Sequence, residues 1–262
     1  MKKLIFHLFF IVFTFSQDFS LSFDGINDYV DLGTGGLSSN DNTYTQEIIF
    51  KYQGPTQYGF GNSQGGMLLS KRQNPYEFWA SIGITDDYVY FFHDAPWCAN
   101  ASNPAFINDN QFHHLTAIKD YNTYTLYLDN ELIGVHQGTC DEHPDQSNLL
   151  LGYHGAWDSF FNGYVSEVRI WDDVRTQDEI SDFFNNELNG DEDGLVGYWN
   201  FSQNVNDIIA YDLSGNGNHG TIHGASLIQN IYGCTDELAI NFSAEANWDD
   251  SSCTYPDNGN YS

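Results

Sequence analysis

The stretch LSFDGINDYVDL, residues 21–32, decides the fold. Leu21 and Phe23, then Val30 and Leu32, put apolar side chains at every second position, the period of strands with one buried face. Between them Asp24-Gly25-Ile26-Asn27-Asp28 forms a tight polar turn whose side chains accept backbone hydrogen bonds or hold a cation. The segment reads as strand, turn, strand. An isolated hairpin buries too little apolar surface to persist, so later segments must complete its sheet.

The rest of the composition agrees with a β protein of the exported class. Aromatic residues make up 16% of the 262, many in alternating runs, and long helical patterns are absent. The chain opens with Lys2 and Lys3, then an apolar run to residue 15 and Ser16 before a polar start. That is a secretory signal peptide over residues 1–16, too short to span a bilayer, and the alternative is an uncleaved anchor. The predicted location is secreted, at the cell surface or beyond it, with no membrane insertion after signal removal. Against 36 Asp and Glu stand 8 Lys and Arg, a formal charge of -28. Nucleic acid and anionic membranes are excluded as partners, because both require a basic face that displaces counterions.

An even number of cysteines, 4, in an exported chain argues for disulfides. Three pairings exist; separation in sequence favours Cys234 with Cys253 in a short tail and leaves Cys98 with Cys140.

Along the chain, strands are predicted over residues 44–52, 67–70, 76–82 and 89–93, and a long irregular loop over 94–110. Residues 112–119, 123–129 and 131–136 form a meander with a tight turn at Asp129-Asn130. Strands follow over 149–153 and 162–171. One helix is expected over 176–184, with Thr176 as cap, Glu179 at the capping-box position and Ile180, Phe183 and Phe184 as its apolar face. Residues 195–201 read as a strand, and Asp212 to Asn218 as a glycine-rich turn entering the last one.

Four ordered motifs carry a family resemblance: LSFDGINDYVDL, FHHLTAIKDYNTYTLYLDNELIG, FFNGYVSEVRIWDDVRTQDEI, and GLVGYWNFSQ with DLSGNGNHGTIHGA. Together they resemble a LamG-like jelly-roll domain of the concanavalin A-like lectin/glucanase superfamily over about residues 19–229. Phe112 stands where family members often have Trp. The resemblance implies an all-β fold, a two-sheet antiparallel jelly-roll sandwich with one short helix, and the strand pattern asks for the same architecture. The expected organisation is a jelly roll over 17–231, a two-cysteine motif over 232–255 similar to one in large secreted bacterial proteins, and a linker over 256–262. That linker, compared with Gln17-Asp18-Phe19-Ser20, suggests a further repeat within a larger multidomain chain.

Catalysis is disfavoured on spacing. Glycanases of this superfamily carry paired carboxylates on one strand face, whereas Glu167 stands alone beside Arg169 and reads as half of an ion pair. His113 and His114 point to opposite faces of a strand, and His219 and His223 lie too far apart to share an ion. For calcium the oxygen donors are Asp24, Asn27 and Asp28 in the first turn and Asp212, Asn216 and Asn218 in the late one. The same residues serve equally as turn formers bonding their own backbone. Ligand recognition is expected at the loop aromatics Trp97, Tyr153 and Trp157, where a flat ring stacks on a sugar, or alternatively packs on the rim of the sandwich. Trp79, Trp171 and Trp199 are expected in the core. The function expected is a secreted, non-catalytic binding or adhesion module for an extracellular glycan or surface protein. The alternatives are a divergent glycoside hydrolase or its accessory domain, and a structural spacer repeat.

Overall fold

The computed structural model describes residues 18–37, 42–56, 65–71, 79–85, 88–93, 99–138, 147–155, 158–184, 186–202 and 208–256. The signal peptide, Trp97, Trp157, Cys98, Cys140 and residues 257–262 lie outside them. In chain order the strands are β1 (Phe19–Asp24), β2 (Tyr29–Asp31), β3 (Thr43–Tyr52), β4 (Gly66–Lys71), β5 (Trp79–Ile84), β6 (Tyr88–His93), β7 (Ala99–Pro104), β8 (His113–Asp120), β9 (Thr123–Leu128) and β10 (Glu131–Gln137). They continue as β11 (Leu149–Leu151), β12 (Tyr153–His154), β13 (Ser159–Phe160), β14 (Asn162–Trp171), β15 (Leu195–Trp199), β16 (Ile209–Ala210), β17 (Gly220–His223), β18 (Ser226–Gln229), β19 (Tyr232–Gly233) and β20 (Trp248–Asp249). Among the described residues one helix, α1 (Gln177–Phe184), separates β14 from β15.

Two antiparallel sheets pack face to face. The first runs β10-β9-β8-β3-β14-β1-β18, with β15 also on β14; the second runs β16-β17-β2-β11-β4-β5-β6-β7. Between them lies one core, with Leu21 and Phe23 from the first sheet meeting Val30, Leu32, Leu149 and Leu151 from the second side. Burying such side chains supplies the main favourable term for the fold.

Residues 21–32 are therefore not a hairpin. β1 pairs with β14 and β18, while β2 pairs with β11 and β17, so the turn is a corner that carries the chain between sheets. Alternating apolar residues face the core from either sheet, and the same pattern fits a hairpin and a corner equally. The corner is built by side chains: Asp24 N donates to Asp28 Oδ2 at 3.0 Å, and Ile26 N and Asn27 N donate to Asp24 Oδ1. Gly25 sits at φ +72°, where a Cβ would strike the Asn162 side chain at 2.9 Å.

One further expectation changes: residues 94–110, read as an irregular loop, include the edge strand β7, antiparallel to β6 from Tyr88↔Pro104 to His93↔Ala99. The segment GLVGYW, in β15, pairs with β14. ANASNP lacks β-branched and aromatic residues and ends in proline, which an edge strand tolerates. The meander holds, with Asp129 and Asn130 at φ +50° and +65°, the left-handed pair of a tight two-residue turn. The helix cap holds too: Glu179 N donates to Thr176 Oγ1, and Thr176 N donates back to Glu179 Oε2 at 2.7 Å. Trp171 and Trp199 are fully buried.

Cys234 and Cys253 are joined in a disulfide. The tail it closes lies against the outer face of the first sheet, where Trp248 stacks on Phe112 at 3.8 Å between ring centres and Lys51 Nζ donates to Asn247 O at 3.2 Å. A core cluster of Ile49 and Trp248, with Phe112 and Tyr232 against it, makes that contact apolar.

Candidate functional site

Alternation fixes what the second sheet shows to the outside. Val30 of β2 is fully buried and Ile222 of β17 packs against the core, so their neighbours Tyr29 and His223 face outward. The register places Tyr29 opposite His223, and the rings stack at 4.4 Å with planes 12° apart. Next along, Tyr153 of β12 lies 5.4 Å from Tyr29, and Phe160, its partner on β13, stacks on it at 4.4 Å. Four rings from four elements thus form one row, His223, Tyr29, Tyr153 and Phe160. The inner faces of the rings cover one another, so the row offers ring edges, two end faces, two phenol groups and an imidazole. Tyr153 OH donates to Asp158 Oδ1 at 3.2 Å, and burial followed by the Asp158 charge pushes the phenol above its ordinary pKa. It stays protonated and remains a donor.

Of the ligand residues expected from sequence, Tyr153 falls within this row. Trp157 belongs to the segment joining β12 to β13 but lies outside the described residues, as does Trp97. Tyr29, Phe160 and His223 were not anticipated. Their outward direction is readable from the alternation around Val30 and Ile222, but their adjacency comes only from strand register.

The two acidic turns are not brought together. Asp28, its carboxyl held above the usual range by burial, sits beside Gly224, just after the last residue of β17, where a Cβ would collide with it. Asp212 stands before the first residue of β17: its Oδ1 accepts from Tyr198 N and Ser214 N and its Oδ2 from Asn218 N. Asn216 donates through Nδ2 to Leu195 O. The two turns flank β17 at its two ends. Each turn uses Asp24, Asp28, Asp212 and Asn216 to hold its own backbone, and Asn27 is exposed and contributes a backbone N–H.

Glu167 does not stand alone. On the outer face of the first sheet Glu47 of β3 joins it, with Arg169 between: Arg169 Nε donates to Glu167 Oε1, and Nη1 lies 3.6 Å from Glu47 Oε2. Trp171 Nε1 donates to Glu47 Oε1 at 2.6 Å, and His114 Nε2 is 2.8 Å from Glu47 Oε2. Burial alone would raise both carboxyls. It does so for Glu167, while the His114, Arg169 and Trp171 contacts more than offset it and hold Glu47 low. Both carboxylates are 1% exposed. A carboxylate pair exists, but no polysaccharide chain can reach it in this state. One residue before His114 on β8, across from Phe50, His113 is clamped by Asp109 at 3.0 Å and Asp129 at 2.8 Å; burial lowers its pKa, yet the two carboxylates raise it to about 9.

The comparisons with known proteins agree with this architecture. A family model for the concanavalin A-like lectin/glucanases superfamily matches residues 24–181. The chain belongs to this superfamily. No curated protein is similar to it in sequence. Among solved structures, a candidate carbohydrate binding protein from Bacteroides ovatus superposes with a TM-score of 0.60 at 17% identity, covering 81% of this chain and 60% of that one. The chain thus spans about 60% of the length of that protein. A SAP-like pentraxin from Limulus polyphemus gives a TM-score of 0.49 at 15% identity, covering 64% of this chain and 82% of that one. A CBM40 domain of a Ruminococcus gnavus sialidase, solved with sialyllactose, gives 0.45 at 16%, covering 61% and 95%. At 17% identity the likeness to the Bacteroides ovatus protein is one of fold.

Proposed function

We propose that the chain is a non-catalytic carbohydrate-binding module of a secreted or surface-attached multidomain protein, acting in adhesion to an extracellular glycan. The observation that carries this reading is the outward row His223, Tyr29, Tyr153 and Phe160. Its end faces suit the C–H surface of a sugar ring, and its phenol groups, imidazole and the nearby Asp158 suit hydroxyls. Trp157, one residue before Asp158, adds a further ring in sequence. The strongly acidic composition favours a neutral glycan over an anionic one, since carboxylates of like sign repel.

A glycan array tests it. The chain is expected to retain a neutral oligosaccharide, and Tyr153→Ala is expected to weaken that binding about tenfold or more. Wild-type retention of no glycan, or equal retention by Tyr153→Ala, would count against the reading. Release of reducing sugar from any polysaccharide, abolished by Glu167→Gln, would replace it with the hydrolase alternative.

A further inference from the structure

On the opposite side of the molecule from the aromatic row, the two-cysteine tail does not close flush on the first sheet. A cleft of about 350 Å³ remains between the sheet, α1 and the tail, a volume in the range of small-molecule sites. Its apolar walls are formed by Ile49, Phe184 and the stacked Phe112 and Trp248. Its polar lining includes the carboxylates of Asp109, Asp129 and Asp249 beside the Gln111 amide, the Ser251 hydroxyl and two histidines. Two cations stand near these carboxylates, the His113 imidazolium clamped between Asp109 and Asp129, and Lys51, whose ammonium donates to Asn247 O and lies over the Phe112 and Tyr164 rings. Three carboxylates against two cations leave the rim negative, within a chain of formal charge -28.

His114 supplies an independent sign of a ligand. It lines the cleft, is 4% exposed, and neither of its ring nitrogens makes a hydrogen bond. Its Nε2 faces the Glu47 carboxylate at 2.8 Å. With Nε2 turned to Glu47, Nδ1 is the ring nitrogen left to meet a bound group. A buried polar atom without a partner is costly, and a bound group that pairs with it relieves the cost.

We propose that this cleft binds a small organic ammonium group on an apolar stem. The stem lies against Ile49, Phe184 and the indole of Trp248, where an aromatic surface also attracts a cation. The ammonium N–H groups are received by the carboxylate rim and by His114. The tail is then part of a binding site, not only a stapled appendage.

The test is calorimetric titration of the full chain with n-hexylamine, n-hexanol and glucose at one ionic strength. Hexylamine is expected to bind saturably, with hexanol and glucose at least about tenfold weaker. Asp249→Asn is expected to weaken hexylamine about tenfold, while Tyr153→Ala leaves it unchanged and separates this site from the glycan row. Should Asp249→Asn loosen the tail, the wild-type protein labelled with 15N in its histidines gives a second readout: hexylamine is expected to shift the His114 Nδ1 resonance. Nα-acetyl-lysine amide and glucosamine distinguish a protein lysine from an amino sugar as the source, and binding of either supports the site. Equal binding of hexanol and hexylamine, or an unmoved His114 resonance at saturation, would overturn the proposal.

Discussion

Glu47 shows how a single side chain ties several strands. It receives the Trp171 indole N–H, faces His114 from β8 and balances Arg169 from β14, all at a buried position. Removing it leaves the buried Arg169 guanidinium with one carboxylate fewer, so Glu47→Ala is expected to cost ~3–5 kcal/mol in a denaturant melt. His113 carries the pH dependence. Its folded pKa of about 9 exceeds its ordinary value of 6.5, so its stabilising contribution is full below the lower value and disappears as pH rises through the upper one. Denaturation midpoints should fall across that window, and Asp129→Asn should flatten the fall; an unchanged slope in the variant would place the titration elsewhere. The turn carboxylates already accept backbone N–H groups, so the melting temperature should be the same in EDTA and in millimolar calcium. A rise of several degrees with calcium would instead support the metal reading of Asp24, Asp28 and Asp212. Sequence made the turn chemistry of these residues legible, because Asp, Asn and Gly bond locally. It did not reveal Glu47 beside Glu167, because that meeting depends on which strands are neighbours.

Among elements, α1 was the most legible, since its capping box and apolar spacing are local signals. Thr176→Ala removes the cap and is expected to cost ~1 kcal/mol. Residues 21–32 were legible as two half-buried strands but not as a corner, because both arrangements obey the same period of two. β7 was hidden by a sequence with no strand preference, which only an edge position excuses. The tail shows the reverse: its disulfide was expected from cysteine spacing, but its seat on Phe112 was not. Replacing Cys234 and Cys253 by Ser is expected to cost ~2–4 kcal/mol and to expose Trp248, read as a red shift in indole emission.

At the scale of the whole molecule, the N-terminal strands are completed by the C-terminal part of the domain. β18 covers the free edge of β1, β17 that of β2, and β15 extends β14. The aromatic row depends on the same closure, because His223 arrives beside Tyr29 only through the β2–β17 register. A chain ending at residue 193 loses all three strands and should show no cooperative unfolding transition; a soluble, two-state fragment would contradict this account. The central claim is that the outer face of the second sheet is where glycan is recognised. Its most direct measurement is NMR titration of the labelled protein with the glycan best retained on the array. The account predicts that the aromatic signals of Tyr29, Tyr153, Phe160 and His223 shift together and saturate, whereas shifts confined to other faces, with these four unmoved, would contradict it.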